Sequence, residues 1–261
     1  MLFETAADFA KLGFFIACAY ALIRALARGR HAPWAAQLTK RRLALLGLLT
    51  LSVSGIKVIE DVLAKESGPV DAAVLWFIRA HVPAAMTGFF AAVTASGSAA
   101  FLLPAGVVMT AALLITRRRY EALLVGASLS TAALLVWATK AIVGRARPAL
   151  WDAQWAWGSS FPSGHTLSSA ALLTAVALCV ARLWPRAGSM AMVVATVWTG
   201  LVALSRLVLG VHWPSDVLAA LCMGAFIPLL ISVVHDLRDR QAGAEPRSEI
   251  DKDQGPFRSS R

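Results

Sequence analysis

Seven runs of almost unbroken apolar residues divide this chain, and their length is what most limits how it can fold. They are Phe9–Ala27, Leu43–Ile59, a run opened by Ser96-Gly97-Ser98 and closed at Thr116, Leu123–Thr139, Thr166–Leu183, Ala191–Leu204 and Val217–Val234. At 1.5 Å rise per residue, about 17 residues is the low end of a membrane span. Soluble domains are about 45–50% apolar and about 25% charged. Here 58% of residues are hydrophobic and 15% charged, with a mean hydropathy of +0.65. The pattern predicts an all-α fold, a polytopic transmembrane helical bundle. A length of 261 residues suits one compact bundle rather than two domains.

Three regions are expected. Residues 1–42 would be an N-terminal apolar helix with a basic connection, 43–235 the membrane domain, and 236–261 a disordered cytoplasmic tail rich in charge, Gly, Pro and Ser. Leu12–Ile23 is apolar on every face, which suits an inserted helix better than a surface-lying one. No basic n-region precedes it, which argues against a signal peptide. Ala72–Ile78 reads as a short helix at the surface. Cys18, Cys179 and Cys222 all sit inside apolar runs and read as small packing residues rather than a disulfide framework.

The net charge of +10 would suggest nucleic acid in a soluble protein. Here Lys and Arg flank the apolar runs, as orientation signals do, so no nucleic-acid partner is expected. Arg28–Arg42, Arg117–Arg119, Arg182 with Arg186, and Arg238 with Arg240 fall on one face, which the positive-inside rule makes cytoplasmic. The loops at 60–95, 140–165 and 205–216 fall on the other. Two of these outer loops are nevertheless basic: one holds Lys140, Arg145 and Arg147, the other Arg206. Cations on the wrong face for topology are most simply explained by a bound anion.

Three polar clusters would build that anion site. They are Lys140 with Arg147-Pro148; Pro162-Ser163-Gly164-His165; and Ser205-Arg206 with His212 and Asp216. Lys140, Arg147 and Arg206 can offset a phosphate of roughly −1.5 to −2 charges. Arginine offers paired donors and lysine a point charge. Ser163 and Gly164 stand where a helix begins, and free N–H groups there favour an anion. His212 and Asp216 are four apart, with Pro214 suited to a first helical turn. In that geometry the carboxylate accepts from one imidazole nitrogen and leaves the other free to attack phosphorus. His165 would then protonate the leaving alkoxide. This division predicts opposite protonation states in the resting enzyme, a neutral His212 and a cationic His165.

These motifs, in this order, resemble the signature of the type 2 phosphatidic acid phosphatase superfamily, matching at Lys140, Arg147, Pro148, Pro162, Ser163, Gly164, His165, Ser205, Arg206, His212 and Asp216. The resemblance covers about residues 43–235. It implies a six-helix core with the pocket on the outer face, and leaves Phe9–Ala27 outside that pattern. It implies His212 as the nucleophile that becomes phosphorylated, Asp216 as its partner and His165 as the acid. Lys140, Arg147, Ser163, Gly164 and Arg206 would hold the phosphate. It implies no metal or other cofactor, and no metal-ligand spacing is seen. The expected protein is an integral lipid phosphatase of the inner (cytoplasmic) membrane with its active site on the periplasmic face, hydrolysing a lipid phosphomonoester or pyrophosphate. Undecaprenyl pyrophosphate, phosphatidylglycerophosphate, phosphatidate and lipid A phosphates are all substrates the resemblance allows. A soluble vanadium-dependent haloperoxidase, a lipid phosphotransferase and a non-enzymatic lipid-binding or transport protein are the rival readings.

Plainer readings stand beside these. Lys140 alone reads as an interfacial anchor, and His165 alone as a helix cap. Arg145, beside the motif, reads as a solvated or headgroup contact. His31, His81 and His235 read as surface residues, and Lys57, Glu60 and Asp61 as helix-end charges. Trp151, Trp155, Trp157 and Trp213 read as an interfacial aromatic belt, with a lipid-entry route as the alternative. Oligomeric state is not legible.

Overall fold

The computed structural model describes residues 12–23, 25, 41–151 and 158–242, the last four without their side chains. Every regular element among them is a helix. We number these α1 (Leu12–Ile23), α2 (Arg42–Leu63), α3 (Gly68–His81), α4 (Thr87–Ser96), α5 (Ala99–Ile115), α6 (Arg119–Val143), α7 (Gly164–Leu183), α8 (Gly188–Val208) and α9 (Pro214–Ala242). Among the described residues, six stretches are long and apolar enough to cross a membrane: α2, the 84–115 stretch containing α4 and α5, α6, α7, α8 with the short turn before it, and α9 to Arg238. The chain is a polytopic membrane protein. Of the expected N-terminal segment, Leu12–Ile23 is helical; the basic connection to residue 40 lies outside the described residues.

Helix α7 is the centre of the bundle, packed against α5, α6, α8 and α9, and α2 closes onto α9. Its sequence explains this. Thr166, Ser169, Ala170, Ala171, Ala175 and Ala177 are all buried, and small side chains let membrane helices approach closely. The tightest approach is at Gly224 of α9, where an added Cβ would lie 2.4 Å from the Leu167 carbonyl oxygen and 2.7 Å from the Ala170 Cβ. Only glycine fits there. Outward-facing residues are large and apolar, among them Leu43, Val107, Val108, Leu134 and Trp137, as expected where lipid rather than water is the solvent.

Several boundaries differ from the sequence reading. The polar ends of the spans continue as helix. Lys140 lies inside the last turn of α6 and Arg206 inside the last turn of α8, rather than in loops. The surface helix expected over Ala72–Ile78 runs from Gly68 to His81 and buries Asp71 and Leu75. Residues 236–242, expected in a disordered tail, continue α9; the rest of the tail lies outside the described residues. Gly144, with φ +59°, ends α6 in the left-handed conformation that glycine adopts at least cost and turns the chain toward the segment carrying Arg145 and Arg147.

Gly224→Ala is expected to lower stability by about 1–3 kcal/mol, as overpacking does. Gly200→Ala, where nothing lies within 4 Å of the new carbon, should leave it unchanged or slightly raised. Thermal unfolding of the two variants in detergent checks the difference.

Candidate active site

The chain crosses back and forth so that three polar segments meet at one end of the bundle. The last turn of α6 and the link after it bring Lys140, Arg145 and Arg147. The start of α7 brings Ser163, Gly164 and His165. The end of α8 and the start of α9 bring Arg206, His212 and Asp216. The backbone N–H of Ser163 donates to the Asp216 carbonyl at 3.3 Å, which joins the starts of α7 and α9.

His212 is 2% exposed. Its Nε2 lies 3.3 Å from Arg147 Nη1, so with a guanidinium donor on that side the lone pair is on Nε2 and the proton on Nδ1. Nδ1 faces Asp216 Oδ2 at 3.6 Å. That separation is an electrostatic contact, too long for a hydrogen bond. Burial is the main cause that holds the ring's pKa down at about 4; Asp216 opposes it, while Arg206 and Arg147 reinforce it. The expected neutral His212 agrees with this.

Of the cations, Arg147 is the one that faces Nε2. Arg147 also donates to the Val211 carbonyl at 2.7 Å and, through Nε, to the Gly158 carbonyl at 3.1 Å. Burial pulls this guanidinium below its ordinary pKa, with Asp216 opposing; it remains a cation at neutral pH. Lys140 Nζ donates to the Ser159 carbonyl. Arg206, 8% exposed, donates from Nη1 to Thr94 Oγ1 at 2.6 Å, while its buried Nε has no hydrogen-bond partner. Arg206, Arg147, Lys140 and His212 are the titratable groups acting on His165. No side chain caps α7, because Ser163 Oγ is engaged with Thr166 Oγ1 at 3.0 Å. The first N–H groups of that helix are left for an anion. Gly164 begins the helix against Val136, 3.3 Å from where a Cβ would stand.

Arg145 corrects the sequence reading. It is neither solvated nor aimed at a headgroup. Nη1 bonds Asp216 Oδ1 at 2.6 Å and Ser215 Oγ at 2.8 Å; Nη2 bonds Asp71 Oδ2 at 2.8 Å and Ser67 Oγ at 3.0 Å. Asp71 of α3, 2% exposed, also accepts from Ser215 N at 2.8 Å and Ser215 Oγ at 2.6 Å. Asp216 accepts further from Trp213 N at 2.9 Å and from Ser160 Oγ. Asp71 and Ser160 were missed because neither belongs to a motif. An acidic residue in an outer polar stretch, opposite an unexplained arginine, was the available signal. The tryptophans divide too. Trp213 donates to the Ala146 carbonyl at 2.9 Å and lies under Arg145; Trp151 packs on Trp76 with Arg79 over its ring. Trp155 and Trp157 lie outside the described residues.

Comparison with known proteins settles the family. Residues 121–240 match the model of the PAP2 superfamily. Phosphatidylglycerophosphatase B of Bacillus subtilis (strain 168) is 31% identical over 149 residues, which is 56% of this chain and 71% of that protein. The chain belongs to the PAP2 superfamily. It is a membrane lipid phosphatase. Lipid A 1-phosphatase of Rhizobium johnstonii is 40% identical over a shorter stretch of 75 residues, 29% of this chain and 28% of that protein. The crystal structure of a transmembrane PAP2-type phosphatidylglycerolphosphate phosphatase from Bacillus subtilis has the same fold, with a TM-score of 0.62 at 24% identity over 70% of this chain and 96% of that one.

In phosphate-free protein, the His212 imidazole ¹⁵N shifts should stay those of a neutral ring from about pH 7.5 to about pH 5 and change only near pH 4. The unfolded chain takes up this proton near 6.5, before the folded state does. The group's stabilisation is therefore complete above about 6.5 and is lost as pH falls toward 4. A titration midpoint near 6.5 would contradict the burial argument.

Proposed function

We propose that this PAP2 protein transfers the phosphoryl group of a lipid to His212 and then to water. The observation that carries this reading is the environment of one buried imidazole: Nε2 faces the Arg147 guanidinium at 3.3 Å and Nδ1 faces the Asp216 carboxylate at 3.6 Å. A phosphate held by Arg147 would bring phosphorus to the nitrogen that carries the lone pair.

In the first step Nε2 bonds to phosphorus and the bond from phosphorus to the lipid oxygen breaks. The leaving oxygen takes its electron pair and a proton from His165. Nδ1 keeps its proton, so the phosphorylated ring is cationic and faces Asp216. In the second step a water oxygen bonds to phosphorus and its proton returns to His165. The N–P bond then breaks with its pair restored to Nε2. Lys140, Arg147 and Arg206, with Ser163, Gly164 and the N–H groups of the first turn of α7, hold the phosphoryl oxygens throughout. Positioning and fixed charge supply most of the catalysis in such transfers. Arg206, Arg147 and Lys140 all act on His165. A protonated His165 therefore depends on the bound phosphate, whose charge offsets the surrounding cations.

Residues 43–235 are the phosphatase unit in this reading, with α1 outside it. Arg117–Arg119, Arg182, Arg186 and Arg238 mark the end away from the site, and the positive-inside rule makes that end cytoplasmic. The site then opens on the periplasmic face of the inner membrane. The named activities of the relatives favour a lipid phosphomonoester, phosphatidylglycerophosphate or a lipid A 1-phosphate, as substrate.

Purified protein should release phosphate from at least one member of a panel of phosphatidylglycerophosphate, lipid A, phosphatidate and undecaprenyl pyrophosphate. His212→Ala should lower turnover by about a thousandfold or more with helical content unchanged, and should abolish an acid-labile phosphate trapped on the protein. Lys140→Ala and Arg206→Ala should each raise KM about tenfold to a hundredfold, the loss of a charged hydrogen bond. Full turnover by His212→Ala would overturn the assignment.

A further inference from the structure

Outside the residues just assigned, the most densely bonded polar group at this end of the bundle is Arg145. It joins three elements: Asp71 and Ser67 at the start of α3, its own link after α6, and Ser215 and Asp216 at the start of α9. Asp71 is not spent on Arg145 alone. Its Oδ1 accepts the Ser215 backbone N–H and its Oδ2 the Ser215 hydroxyl, so it also holds the first turn of the helix that carries Asp216. Both carboxylates are almost fully buried.

The formal charges of this cluster do not cancel. Two carboxylates share one guanidinium, which leaves one negative charge beside a neutral His212. On the other side of the ring Arg147 faces Nε2 at 3.3 Å, with Lys140 and Arg206 near enough to interact with that guanidinium. The imidazole thus lies between an anionic Nδ1 side and a cationic Nε2 side. A bound phosphate neutralises most of the cationic side. The anionic side is matched only when Nε2 attacks phosphorus and the ring, its proton still on Nδ1, becomes positive. An interaction that is stronger in the transition state than in the ground state accelerates the step.

We propose that Asp71 and Arg145 are positioning residues for phosphoryl transfer: they fix the Asp216 carboxylate against His212 Nδ1 and keep one unmatched negative charge there for the ring to meet as it is phosphorylated. Asp71 reaches the reaction from α3, a helix with none of the residues that hold the phosphate, so its removal separates chemistry from binding. Arg145 contributes the geometry. A lysine has one point charge where the guanidinium serves two carboxylates and two hydroxyls.

The inference rests on His212 being the nucleophile, and its test distinguishes the two. The experiment is single-turnover rapid quench on the full-length protein with radiolabelled phosphatidylglycerophosphate, or with whichever lipid of the panel the protein cleaves. Amplitude counts competent sites and the rate constant reports the chemical step. The expected result for Asp71→Asn, nearly isosteric and lacking one charge, is phosphohistidine formation slowed about tenfold to a hundredfold, with near-normal amplitude and KM within about threefold. Arg145→Lys should slow the same step and leave KM similarly unchanged, in contrast to Lys140→Ala. Arg145→Met leaves two buried carboxylates unpaired and is expected to fold poorly, so the conclusion depends on the other two. A reduced amplitude with a wild-type rate constant in Asp71→Asn would make the cluster a purely structural brace and overturn the inference. Absence of phosphohistidine in the wild-type protein would instead overturn the assignment of His212.

Discussion

Charge taken out of water at the rim of a membrane must be matched by the protein itself, and the arrangement of this molecule depends on how that is done at its two ends. A buried ion costs several kcal/mol unless partners surround it. At the site end Arg145 gathers Asp71 and Asp216 from helices far apart in sequence. Removing one member would strand the others, which is why the α6–α7 link, otherwise without regular structure among its described residues, is held where it is. The position of His212 follows from this: the Trp213 N–H and the Asp216 carboxylate close a tight turn at the entry to α9, and that turn aims the imidazole.

The opposite end is tied in the same way. Asp236 of α9 pairs with Arg41 before α2 and with Arg182 of α7; Arg182 also approaches Glu121 of α6 and lies over the Tyr120 ring at 4.2 Å. Positive residues of the kind that the positive-inside rule reads therefore also bind four helices together. Between the two ends the helices meet through small residues and apolar side chains. The rigid unit that positions the site is α7 with α6, α8 and α9, closed by α2.

Much of this was legible in the sequence because the physics was local. A run of apolar residues must span a bilayer wherever it lies in the chain, and each motif residue is recognisable within a few positions of its neighbours. The boundaries were less legible, because Lys140 and Arg206 stay in the last turns of their helices and meet polar partners there, the Ser159 carbonyl and Thr94 Oγ1. The role of Arg145 was misread for another reason. It was counted with Lys140 and Arg147 among cations on the wrong face that needed an anion. Its anions are Asp71, 74 positions away, and Asp216, 71 positions away. Pairing at that distance is decided by how helices pack, which no spacing rule carries.

That division of the cations at the site end clarifies the chemistry. Of the four, Arg145 is paired with two carboxylates of the protein, while Arg206 retains a buried Nε with no hydrogen-bond partner. A site with all four cations paired internally would have no net attraction for a phosphate, and one with none paired would repel its own loops. Splitting them places opposite charge on the two sides of a single ring. Such a field holds the imidazole in one tautomer, proton toward the carboxylates and lone pair toward the phosphate, without requiring a short hydrogen bond from Asp216. The 3.6 Å separation to Nδ1 is then compatible with a working nucleophile: the carboxylate acts through its charge, and the contact can shorten as the ring becomes cationic.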